Sequence, residues 1–303
     1  DVAGAPGLGG VTATTRVDPY RDAVSQALQD LDWLEPAGLR RILNLLNSVS
    51  GRWALRLLHD NPERIRERIG TVAAIATLKD IDRSFDRADG AGVLLPLEEL
   101  FDLLPKNGIP RPDSRSTDDL LYVWVPYGEK RPVLRGRLLE VKYRSRGGPE
   151  LAEARQEIEN TEDWLSGVFN GNGPGRLFRA RDLADVLRSS VSRGTAFGLN
   201  EEIDRAGFES ALERVASGDY HLEFAFWVGG QRLIGDVISV EVESDSDAVR
   251  SALPGAGADG GVVRLGRRVL NALASGEDVA APPGWEEPQF APPPEDGGGR
   301  AAP

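Results

Sequence analysis

The 303-residue chain has no cysteine and no methionine, and only two histidines, His59 and His221. Without cysteine there can be no disulfide, thiolate zinc site or cysteine nucleophile, which suits a reducing compartment such as the cytoplasm. Two imidazoles so far apart in sequence make a histidine-rich metal centre or a Ser-His-Asp hydrolase a poor fit. Translation begins with methionine, so its absence points to an internal or C-terminal piece of a longer polypeptide. No apolar run approaches the roughly 20 residues of a membrane span, and no basic-then-apolar leader opens the chain, so a soluble protein is expected. Positive charge is also in deficit. A net charge of −12 argues against a protein that coats nucleic acid without selectivity.

What is present reads as a mixed α/β protein. Residues 1–16, rich in Gly, Ala and Thr, form a linker. Residues 17–110 carry helical periodicity: Asp18-Pro19 opens a helix, Pro36 to Val49 forms a second, Trp53 lies in a third, and Asn61-Pro62 starts a long fourth. Val93 to Leu104 reads as a further short helix. An α/β core spans 111–243, with helices near Pro149 to Phe169, Leu177 to Val191 and Glu201 to Val215, and a strand at Tyr220 to Val228 turning at Gly229-Gly230. Residues 244–276 comprise a polar link and one helix near Val262 to Leu273, and 277–303, made of Pro, Gly, Ala and acids, reads as a disordered tail. The glycine-rich loop Asn170 to Gly175 lacks a following Lys-Ser or Lys-Thr pair and is no nucleotide P-loop.

The stretch with the most chemical content is a pair of apolar strands, Asp118 to Val125 and Arg137 to Tyr143. Alternation along the second sends Leu139, Val141 and Tyr143 to one face and Glu140 and Lys142 to the other. If the strands are neighbours, an acid at the start of the first can reach Glu140. Asp119 is favoured over Asp118 and Asp113 because it directly precedes Leu120-Leu121. Asp119, Glu140 and the Val141 carbonyl would then hold a hard cation, Mg2+ or Mn2+, and Lys142 would orient a water or stabilise developing phosphoryl charge. The surrounding Lys130, Arg131, Arg135, Arg137, Arg144 and Arg146 form a basic cluster suited to DNA, with Trp124 and Tyr143 as stacking candidates. The plainer account is a charged hairpin edge in which Glu140 and Lys142 form a solvated ion pair worth under about 1 kcal/mol.

A long helix, a strand opening with Asp, a strand reading Leu-Glu-Val-Lys-Tyr and a second helix resemble the PD-(D/E)xK nuclease superfamily over roughly residues 62–170. The resemblance implies a core of helix, three strands, helix and fourth strand, the last displaced to about 220–228. It also implies magnesium-dependent cleavage of DNA, with Asp119 as the metal aspartate and Glu140 and Lys142 as the acid-x-Lys pair. Many members carry a Glu after a Gly on the first helix. Here Gly70 is followed by Thr71, with Glu67 one turn earlier as a substitute. The lead-in Ser50 to Leu58 resembles the nuclease end of multidomain bacterial anti-phage restriction proteins, which implies an ATPase or translocase elsewhere in the polypeptide or in a partner. The alternative from another class is an inactive nuclease-like module that binds DNA or docks such an ATPase.

Overall fold

The computed structural model describes residues 18–27, 34–103, 120–144, 151–173, 175–200, 202–242, 244, 247–252 and 260–290. Its helices begin where the local chemistry predicts. Helix α1 spans Asp18–Ala27 and α2 spans Pro36–Val49, with proline at the first turn and Leu39, Ile42, Leu43, Leu45 and Leu46 buried along one stripe. After α3 (Gly51–Arg56) comes α4 (Pro62–Ala76), whose Asn61 side chain accepts the Arg64 N–H at 2.9 Å. A π-helical turn, Thr77–Ile81, ends α4 and delivers Asp82 into the interior.

The next element is a strand. Val93-Leu94-Leu95 lies in β1 (Gly90–Pro96), every residue of which is buried, and the short helix α5 (Leu97–Leu103) starts only afterwards. A run buried on both faces loses the period-2 pattern, so it cannot be told from a buried helix by periodicity, which is why the sequence reads as helical there. β2 (Leu120–Pro126) and β3 (Val133–Arg144) follow, then α6 (Leu151–Asn170), α7 (Arg176–Ala196) and α8 (Arg205–Ala216).

β1, β2 and β3 form an antiparallel meander in which Leu120 sits opposite Leu139. The other edge of β3 is shared in tandem by two parallel strands. β4 (His221–Phe224) pairs with Val133 to Gly136, and β7 (Gly235–Glu241) pairs with Leu138 to Arg144. Between them β5 (Phe226–Val228) and β6 (Gln231–Leu233) leave the sheet as a hairpin. Gly229 and Gly230 take φ of +57° and +78° at its turn, a conformation open to glycine. The expected fourth strand at 220–228 is therefore two short strands, and its parallel pairing with β3 continues to Glu241. Beyond β7, the sheet adds β9 (Gly260–Leu265) in parallel and β8 (Val249–Ala252) antiparallel to β9 at the edge. β9 and helix α9 (Arg267–Ser275) replace the single helix expected near Val262 to Leu273.

The sheet is covered on both faces. Leu139, Ile238 and Val240 pack with Ile65, Ile69 and Val72 of α4 and with α1, α2 and α9. Leu138 and Val237 pack on the other side with Ile158 and Leu165 of α6 and with α5, α7 and α8.

Residues 277–290 belong to the core-bearing part of the chain, contrary to the tail their composition suggests. Val279 donates its N–H to Asp80 at 3.0 Å, Gln289 and Trp227 exchange backbone hydrogen bonds at 2.8 Å, and Phe290, 4% exposed, lies against Tyr122 and stacks on Trp124 at 5.6 Å. A few apolar anchors among prolines suffice to order a strap that has a groove to fill. Residues 291–303 lie outside the described part. Phe290→Ala is expected to lower stability by about 3 kcal/mol, read as a fall in the denaturant midpoint. A midpoint equal to wild type would mean that this segment does not dock.

Candidate functional site

The side chains of β3 divide as alternation demands. Leu134, Leu138, Glu140 and Lys142 face α6, while Arg135, Arg137, Leu139, Val141 and Tyr143 face α4, where a Cβ on Gly70 would touch Val141 and Tyr143 at 3.4 Å.

On the α6 side, Lys142 Nζ lies 2.6 Å from Glu140 Oε1 and 3.2 Å from Glu157 Oε2 of α6. Glu140 is 3% exposed. Burial lowers the Lys142 pKa, but the Glu140 carboxylate, followed by Glu157, more than reverses this and holds it above the ordinary lysine range. Lys142 is therefore a fixed cation and not a proton acceptor. The gap beside the pair, bounded by Leu97, Leu138, Glu157, Ile158 and Thr161, amounts to about 10 Å3, room for one water at most. The β2 register stops at Leu120 opposite Leu139, so among the described residues Glu140 to Arg144 have a paired strand only in β7.

Asp119, Asp118, Asp113 and Arg146 lie outside the described residues, as does the side chain of Arg144. Glu67 and Thr71 belong to α4 and so sit on the face of the sheet opposite Glu140; neither supplies a first-helix acid to that site. Trp124 is buried under Phe290 and is a core residue, not a stacking platform. Among the described residues no group of three or more histidine or acidic side chains is placed to hold a metal ion. No described helix is long and apolar enough to cross a membrane.

The basic cluster does not form one surface. Lys130 and Arg131 are exposed on the β2–β3 loop, with Arg131 3.7 Å from Asp219. Arg135 is ion-paired to Glu223 and lies over the Trp227 ring at 5.4 Å. Arg137, expected at a DNA contact, is 1% exposed and serves the interior instead. Its Nε donates to Asp236 Oδ2 at 2.9 Å and one terminal nitrogen donates to Asp82 Oδ2 at 2.8 Å, while its guanidinium sits 4.7 Å over Phe226. Arg250 reaches the same two acids, Asp82 at 3.2 Å and Asp236 at 3.6 Å, and Trp285 Nε1 donates to Asp82 at 2.7 Å. Two acids thus face two guanidinium groups. Burial disfavours the charged forms of both Arg137 and Asp236, and the opposite charges prevail: Arg137 rises above its ordinary range and Asp236 falls below the usual carboxylate value.

This network was missed from sequence. Its trace there is an acid in the apolar run Ile234-Gly235-Asp236-Val237-Ile238 and an Arg in Ala248-Val249-Arg250, but only the register of distant strands joins them.

No protein-family model, curated protein or solved structure matches the chain.

Removing one member of a buried ion pair leaves the others uncompensated, at about 3–5 kcal/mol. Asp236→Asn is expected to lose that much at neutral pH. Because the folded pKa of Asp236 lies below its usual 3.8, the wild-type contribution is complete above that value and is lost as pH falls below it. The stability difference between wild type and Asp236→Asn should therefore shrink in acid, as measured by urea titrations from pH 7 to pH 3. A difference constant with pH would show that Asp236 is not held ionised.

Proposed function

We propose that the chain is a metal-dependent nuclease that hydrolyses DNA phosphodiester bonds, an effector of the kind used in bacterial defence. The observation that supports this most directly is the Glu140–Lys142 pair, 2.6 Å apart on one face of the central strand β3, next to Leu139, which pairs with the first described residue of β2, Leu120. The order α4, β1–β2–β3 meander, α6 and parallel β7 agrees with the helix, three strands, helix and strand that the family resemblance implies.

The donor chemistry fits a hard cation: a carboxylate, a neighbouring carbonyl and no soft ligand. Glu140 and the Val141 carbonyl, together with Asp119, would hold Mg2+ or Mn2+, which when bound polarises a phosphoryl oxygen and lowers the pKa of a water. Lys142, kept protonated by Glu140 and Glu157, offers positive charge to a developing phosphorane and a donor to orient the attacking water. Exposed Lys130 and Arg131 would meet the DNA backbone. An ATPase or translocase partner belongs to the same reading.

A specific observation favours a second reading, an inactive nuclease-like module that binds DNA or docks such a partner. α6 covers the pair, and Glu140 is nearly inaccessible.

The deciding measurement is cleavage of supercoiled and linear DNA by the full-length protein with Mg2+ or Mn2+, comparing wild type with Glu140→Gln, Lys142→Ala and Asp119→Asn. Each substitution is expected to lower the cleavage rate at least 100-fold while circular dichroism and the thermal midpoint show a folded chain. Metal-independent cutting, or none by folded wild type, would move the assignment to the inactive module.

A further inference from the structure

The Lys142 ammonium stands between two acids of different standing. Glu140 Oε1 lies 2.6 Å from Nζ on the same strand, and Glu157 Oε2 reaches it at 3.2 Å from α6. The first contact is built in, because Glu140 is buried and moving Lys142 away would leave an uncompensated charge in the interior. The second sits at the rim, where the Lys142 and Glu157 side chains are 27% and 34% exposed and water competes for both. The helix carries Glu157 to that position. Ala154 and Ile158, on the same turn, are buried, and Ile158 comes within 3.0 Å of where a Cβ on Gly235 of β7 would stand. The backbone of α6 is thus anchored there, and the Glu157 side chain is the part that can turn aside.

One ammonium between two carboxylates leaves a net negative charge beside β3. Register puts Ser239 of β7 and Arg264 of β9 in line with Lys142 on this face, since their neighbours Ile238, Val240, Val263 and Leu265 belong to the core on the α4 side. Arg264 does not reverse the balance, because Glu241 lies 3.5 Å from it. An anion that approaches Lys142 therefore meets an anion already seated there. A carboxylate, like a phosphodiester, presents two equivalent anionic oxygens to a donor, so one can stand where the other would bind.

We propose that Glu157 is an electrostatic gate, holding the anion position at Lys142 in the resting chain until a phosphate of the substrate displaces it. This gate rests on the nuclease reading, which supplies the phosphate as that of DNA. It discriminates by polymer length. A small free phosphate competes poorly with a carboxylate tethered to α6, whereas a phosphate that belongs to a polymer is delivered at high effective concentration by the contacts its neighbours make.

The test is binding of a fluorescently labelled DNA duplex to the full chain, by anisotropy in EDTA where nothing is cut, followed by cleavage kinetics with Mg2+. Glu157→Gln keeps the shape and removes the charge, and Glu157→Ala, a good helix former, repeats the removal. Asp163→Asn takes the same charge from an exposed position elsewhere on α6. Both Glu157 variants are expected to bind at least tenfold more tightly than wild type and Asp163→Asn within twofold of it, and the gain should vanish when Lys142→Ala is added. In cleavage, Glu157→Gln should lower KM at least tenfold and leave kcat within threefold, because the gate is already displaced in the bound complex. Equal, absent or weaker binding by the folded Glu157 variants, or a gain that Asp163→Asn shares or that survives Lys142→Ala, would overturn the gate and leave any cleavage, and so the nuclease reading, standing. A gain confined to the Glu157 variants, with no metal-dependent cutting by any folded chain, would overturn the nuclease reading and keep the gate on a DNA-binding module.

Discussion

The arrangement of the sheet depends on one charge constraint: Arg137 is buried, cannot shed its proton at any relevant pH, and must be met by Asp82 and Asp236. Those two acids come from the turn after α4 and from β7, so satisfying the guanidinium fixes both relative to β3. Arg250 brings in β8, and Trp285 brings in the C-terminal strap through Asp82. Hydrophobic burial alone would tolerate a strand sliding by two residues, which preserves which face is apolar. A set of two buried acids and two guanidinium groups, one of them fully buried, does not. Its geometry ties together β3, β7 and β8, which carry Arg137, Asp236 and Arg250.

Much of this architecture was legible in the sequence, and the boundary of legibility has a physical form. Helices that start with proline, such as α2, or with a capping residue and proline, such as α4, announce themselves because their determinants lie within four residues of each other. The partition of β3, with Glu140 and Lys142 on one face and Leu139, Val141 and Tyr143 on the other, follows from alternation alone. β1 escaped because a strand buried on both faces carries no alternation, and both β1 and β9 because Val93-Leu94-Leu95 and Val262-Val263 are followed closely by helical segments. The strap escaped because composition reports average polarity, whereas docking needs only Val279, Trp285 and Phe290 in register with a groove.

The candidate site divides the same way. That Glu140 and Lys142 are neighbours could be read from their spacing, but their closure beneath α6 could not, because Glu157 joins them only through the tertiary packing of that helix. Arg137 shows the converse failure. In a run of basic residues every member reads as surface, and charge density cannot reveal that one of them points inward with acids 55 and 99 positions away.

The tandem pairing of β4 and β7 along one edge of β3 bears on how the chain is made. When β1, β2 and β3 have left the ribosome they can close their meander at once, since those contacts are local. The far edge of β3 then stays open until α6, α7 and α8 and both late strands have been synthesised, and Arg137 meets Asp236 only 99 residues later. An unpaired strand edge is an invitation to intermolecular pairing, and charged side chains are a usual deterrent. The nascent β3 carries Arg135, Arg137, Glu140, Lys142 and Arg144 along that waiting edge. Of those charges, Arg137 and Glu140 end up buried in the folded chain.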